Sequence, residues 1–143
     1  MLSSSPELVV RLDTALPAWL PVDRGNAVFV NGACFHCAQM VVRGRLRAGA
    51  GPTIRPAVWR APRADLVAAL GDPRAYRSGF WATLPIPPQA EPGRLLIALE
   101  VELQDGRRHT RELGAIDVVA EPGPPPSPGS DAAIAICLAT PEP

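Results

Sequence analysis

The stretch Leu95-Leu96-Ile97-Ala98-Leu99-Glu100-Val101-Glu102-Leu103 sets Leu95, Ile97, Leu99, Val101 and Leu103 on one face and Glu100 and Glu102 on the other. That is the period-2 pattern of a strand with one face buried and one in water. Gln104-Asp105-Gly106-Arg107 follows and supplies an Asp-Gly hairpin turn. Arg108 to Val119 then returns as the partner strand, with Gly114 marking a bend or bulge. A hairpin with a continuous apolar face must bury it against a second layer.

Further short strands lie upstream. Glu7-Leu8-Val9-Val10-Arg11-Leu12-Asp13 carries apolar residues at 8, 10 and 12. Ala27-Val28-Phe29-Val30-Asn31 ends at Gly32, and Phe80-Trp81-Ala82-Thr83-Leu84 follows Ser78-Gly79. In residues 39–47, Met40, Val42 and Leu46 alternate with Gln39, Arg43, Arg45 and Arg47, with Gly44 out of phase. Leu16-Pro17-Ala18-Trp19-Leu20-Pro21 is too rich in proline for a central strand. One segment is helical: residues 62–70 place Leu66, Ala69 and Leu70 on one face, Gly71 follows as a terminator, and Pro73 forbids continuation. The reading is all-β: an immunoglobulin-like antiparallel β-sandwich with one short connecting helix. A parallel α/β fold needs helices of ten or more residues between strands, and the sequence has none.

Composition agrees. With 143 residues the chain suits one compact domain, and 47% hydrophobic residues suffice for a core. The 18 prolines and 12 glycines exclude a helical bundle. All 14 basic residues are arginine and are balanced by 14 acids, so no basic field is available to hold a nucleic acid. No secretory signal pattern opens the chain, and no apolar run approaches membrane-helix length. Three cysteines form an odd set that argues against a disulfide framework, so a cytoplasmic setting is expected.

Organisation along the chain falls into four parts: a lead-in over residues 1–21, the sandwich over 22–120, a Pro-rich linker over 121–130, and an apolar run over 131–143. The linker has five prolines in ten positions and reads as a semi-rigid spacer. The run Ala132-Ala133-Ile134-Ala135-Ile136-Cys137-Leu138-Ala139 has the character of a strand buried on both faces of a parallel sheet, the start of a different body.

Four motifs occur in order: Val28-Phe29-Val30-Asn31-Gly32-Ala33-Cys34-Phe35-His36, Arg63-Ala64-Asp65-Leu66, Tyr76-Arg77-Ser78-Gly79-Phe80-Trp81, and Asp105-Gly106. In order and spacing they resemble an immunoglobulin-like module found beside bacterial family 2 glycosyltransferase domains, over roughly residues 26–120. Ala33 stands where that module usually has Trp, and Ala64 where it usually has Pro. Ile134 to Pro143 looks like the opening strand and loop of the catalytic domain itself. The resemblance implies that Ala139 and Thr140 would lie beside the nucleotide in an intact parent, with Pro141 departing from the aromatic often found there. It also implies a parent that uses a nucleotide sugar and a divalent metal. The chain itself is then a fragment with no cofactor and no catalysis of its own. Its expected partners are the catalytic domain in cis and a glycan, with no nucleic acid and no membrane span. The alternatives are a free-standing carbohydrate-binding module and a structural spacer.

Candidate chemistry is sparse. Cys34-Phe35-His36-Cys37 holds metal-ligand residue types, but on a strand Cys34 and His36 face opposite to Cys37, and no second ligand pair accompanies them. Arg63 and Asp65 suit either a charge-assisted tether or a ligand-contacting pair. Trp59, Phe80 and Trp81 could stack on sugar rings, although Phe80 and Trp81 must point to opposite faces. Ligand-binding candidates are therefore Trp59, Arg63, Asp65 and Trp81. Trp19 is expected as a lid over one end of the sandwich. Arg43, Arg45 and Arg47 form a cationic face, either solvated or used for docking.

Overall fold

The computed structural model describes residues 7–120, and these form two four-stranded sheets face to face. The strands are β1 (Leu8–Leu12), β2 (Trp19–Pro21), β3 (Asn26–His36), β4 (Val41–Ala48), β5 (Val58–Pro62), β6 (Arg77–Ile86), β7 (Gly93–Leu103) and β8 (Arg108–Val119). One sheet runs β1-β3-β6-β5 and the other β2-β8-β7-β4. This is the immunoglobulin arrangement, an A-B-E-D sheet on a G-F-C sheet. The first strand is split across the two: β1 pairs antiparallel with β3, while β2 lies parallel to β8. Pro21 is tolerated in β2 because that strand is a sheet edge. The Pro-rich linker, the apolar run and its Ala139 and Thr140 lie outside the described residues.

The period-2 reading of β7 holds throughout. Leu95, Ile97, Leu99, Val101 and Leu103 are all buried in one core with Val28, Val30, Leu46, Phe80, Leu84 and Ile116. At Gly114 the ladder slips, because Ile97 faces Gly114 and Ala98 faces Glu112, which leaves Leu113 as the extra residue of a bulge.

The Asp-Gly turn joins β7 to β8, with Gly106 at φ 91. Asp105 accepts hydrogen bonds from the Gln39 side chain (2.8 Å) and from the backbone N–H of Arg107 (3.0 Å). These bonds, that from Gln39 foremost, bring its carboxyl down from 3.8 to about 2. A depressed carboxylate contributes stability above its unfolded value and loses it as pH falls through the folded one. Wild type should therefore lose stability relative to Asp105→Ala between about pH 4 and pH 2. Chemical denaturation at several pH values checks this; a constant difference across that window would exclude it.

Several sequence expectations need correction. The sandwich begins at Leu8: both β1 and β2, which lie in the segment set apart as a lead-in, belong to the two sheets. Composition hid this because β1 is short and β2 is interrupted by proline. The third strand does not stop at Gly32 but continues to His36. In β4 the inward residues are Val41, Gly44, Leu46 and Ala48, and Met40 is exposed, because the pairing with β7 shifts register between Val41 and Arg43. The helix, α1 (Ala64–Leu70), buries Leu66 and half-buries Val67, while Ala69 and Leu70 point outward. Only its first turn rests on the sheet. Strand β5 had no sequence signal, since Arg60 bulges out of it and Pro62 closes it. Trp19 is half-exposed on edge strand β2 and is not a lid.

Candidate functional site

Alternation on β3 and β6 gives the β1-β3-β6-β5 sheet two distinct faces. On β3, Val28, Val30 and Cys34, and on β6, Phe80, Ala82, Leu84 and Ile86, enter the main core. Odd-numbered residues form the outer face, which divides into three contiguous zones.

The first zone is a second, small core. Ala33, Phe35, Leu66 and Ala75 are buried together, with Val9 and Val67 packed around them. Here α1 and the following 3-10 helix Pro73–Tyr76 lie on the sheet. The buried Ser78 hydroxyl donates to the Ala75 carbonyl and ties that turn to β6.

The second zone is an arginine clamp. Arg63 donates from Nε and one terminal nitrogen to the two oxygens of Asp65, both at 2.9 Å. Its terminal nitrogens also reach Asp13 at 2.9 and 3.3 Å and the Gly32 carbonyl at 3.4 Å. A guanidinium has five N–H donors, and these five contacts use them all. Hydrogen bonding to Asp65 raises the Arg63 pKa, and the same bonds lower that of Asp65. Arg63 therefore ties the start of α1 to the end of β1 and the middle of β3. Of the candidate pair, Asp65 is the member a ligand can still approach, since its side chain is largely exposed.

The third zone is aromatic. Phe29 is 48% exposed and Trp81 43% exposed, with ring centroids 6.0 Å apart and planes tilted by 43°. Trp81 lies opposite Asn31 and Phe29 opposite Thr83, so the two rings are diagonal neighbours across the β3–β6 pair. Asn31 buries its side-chain Oδ1 without a hydrogen-bond partner, and its backbone carbonyl accepts from Asp13 N–H at 2.9 Å. The aromatic pair, Asn31 and the Asp13–Arg63–Asp65 clamp are thus continuous along one sheet face.

Sequence reasoning placed Trp81 correctly on the face opposite Phe80, but it missed Phe29 and Asn31. Alternation along β3 is the signal that would have turned both outward; their cross-strand register with Trp81 could not be read from it. The candidate Trp59 does not join this face. Its ring packs on Phe80 (centroids 5.7 Å), against the core, and its indole N–H donates to the Val41 carbonyl at 3.3 Å. It bridges β5 to β4 as a partly buried residue packed against the core.

The Cys34–Cys37 segment is structural. Cys34 lies in the main core, where desolvation pushes its thiol up to about 12, well away from the thiolate that nucleophilic or metal chemistry requires. His36 Nδ1 accepts from the backbone N–H groups of Ala38 and Gln39 at 3.0 and 3.1 Å. Its Nε2 lies 3.5 Å from a Glu7 oxygen. Among the described residues, no three His, Cys, Asp or Glu side chains converge as a metal site. Arg43 and Arg47 pair with Glu102 (3.5 Å) and Glu100 (2.8 Å) across β4 and β7, so the cationic face is interleaved with acids. No helix among the described residues is long and apolar enough to cross a membrane.

No family model matches the chain, and no curated protein matches it in sequence.

Proposed function

We propose that this chain is a non-catalytic accessory module of a family 2 glycosyltransferase, and that its outer sheet face holds a glycan in position for the catalytic domain. The observation that carries the reading is the exposed Phe29–Trp81 pair. Pyranose rings present apolar C–H faces that stack on aromatic rings, and a rigid sheet holds two rings ready without ordering cost on binding. Along the same face, the exposed Asp65 carboxylate can accept from a sugar hydroxyl. The motifs that resemble the glycosyltransferase-associated module also support the reading. Residues from three of them, among them Ala33, Phe35, Arg63, Leu66 and Ser78, build the helix-covered end of this same face. A free-standing carbohydrate-binding module would use the same platform.

Titration with bacterial surface oligosaccharides, followed by calorimetry, tests the proposal. Saturable binding is expected, weakened about tenfold or more by Trp81→Ala, whose unfolding free energy should change by less than about 1 kcal/mol because the ring is half in water. Binding that survives Trp81→Ala and Phe29→Ala together, or no binding by any oligosaccharide, would remove the glycan-holding role.

A further inference from the structure

We propose that a second site, at the end of the sandwich where the β3–β4 connection meets β5 and the 3-10 helix, binds a phosphate-bearing anion. A cleft of about 370 Å³ opens there, and Arg60, Arg74, Arg77, Tyr76, Gln39 and His36 are among the residues that line it. Among the described residues, no Asp or Glu lines it. Arg74 is paired with Asp72 at 3.0 Å. Arg60 and Arg77 have no carboxylate partner among the described residues; Arg77 lies over the Tyr76 ring, 5.3 Å from its centre. In a chain with zero net charge, two guanidinium groups without acid partners share one concave site. Such a site concentrates positive potential, and a bound anion relieves the repulsion. Planar guanidinium donors match the oxygens of a phosphate in pairs, which a single halide ion cannot use.

The backbone supplies an independent observation. Across β5 and β6, Trp59 faces Phe80 and Ala61 faces Gly79, so Arg60 is the extra residue of a bulge. It sits at φ 63, a left-handed conformation that favours glycine. A half-buried arginine therefore occupies the one position of β5 where glycine would fit with less strain. A bulge re-aims the chain locally, and the residue at this one lines the cleft.

The experiment is calorimetric titration of the full chain with inorganic pyrophosphate at low ionic strength, with sodium sulfate as a control anion. Saturable one-to-one binding is expected, weakened about tenfold or more by Arg60→Gly and again by Arg77→Gln. Arg60→Gly should unfold at the same temperature as wild type or higher, because glycine accepts that backbone freely. Lost affinity in that variant is then not lost folding. Trp81→Ala should leave pyrophosphate binding unchanged, which separates this site from the glycan platform. Tighter binding of a nucleoside diphosphate than of pyrophosphate would identify a nucleotide as the source of the phosphates. Tighter binding of a sugar 1-phosphate would identify a phosphorylated sugar. The proposal fails if pyrophosphate shows no saturable binding, if sulfate binds equally well, or if both arginine variants retain wild-type affinity.

Discussion

Gly32→Ala should strip β1 from the sandwich and cost about 3 kcal/mol or more. A Cβ at residue 32 would stand 1.9 Å from the Arg11 carbonyl oxygen and 3.0 Å from the Leu12 Cα. Both obstacles are backbone atoms of the neighbouring strand, so no rotamer change can relieve the clash. Relief requires moving β1, which carries the buried Leu8 and the core-packed Val10 and Leu12. It also requires moving Asp13, which the Arg63 clamp holds at 2.9 Å. Urea unfolding should show a lower midpoint, and amide exchange over Leu8–Leu12 should become fast while β7 stays protected. Gly93→Ala is the matched control, since a Cβ there meets nothing within 4 Å. It should shift stability by less than about 0.5 kcal/mol. A Gly32→Ala protein as stable as that control would mean β1 is not seated against β3 as described.

Trp59→Ala should cost about 3 kcal/mol, lowering the unfolding temperature by on the order of ten degrees. Trp59 sits on Gly44 of the opposite sheet: a Cβ at residue 44 would come within 2.4 Å of the indole ring. The two residues thus form one packing unit, a large side chain on edge strand β5 filling the space left open by a missing one on edge strand β4. Gly44→Ala alone should therefore cost roughly 1–3 kcal/mol through overpacking. In a Trp59→Ala background the same change should be close to neutral, a coupling that thermal unfolding of the four proteins would measure as a double-mutant cycle. If Trp59→Ala moved the unfolding temperature by less than about 2 °C and abolished oligosaccharide binding instead, Trp59 would belong to a ligand face.

The contrast between Trp59 and Trp81 shows how far a one-dimensional reading reaches. Alternation along β6 separates Phe80 from Trp81 and requires one of them to face outward, because successive strand residues point to opposite faces. Trp59 lies in a strand with no alternation to read, since the Arg60 bulge and Pro62 break its period. Its inward direction is set by the glycine opposite, some fifteen residues away in sequence. Likewise, Arg63 and Asp65 were recognisable as a charged pair two residues apart. Asp13, which completes the clamp, comes from the end of a different strand and carries no sequence mark of its role.

Local pattern alone determined the β7–β8 hairpin, the all-β class, the single short helix and its termination at Gly71, because alternation, turn chemistry and helix-ending residues act over a few neighbouring positions. Tertiary structure decided the rest: that β1 and β2 divide between the two sheets, that Phe29 and Asn31 gather beside Trp81, and that arginines from β5 and β6 share one cleft. These depend on register between strands far apart in the chain. A one-residue slip reverses which face every side chain occupies, and the bulges at Val41–Arg43, Arg60 and Leu113 set that register only once the strands are paired.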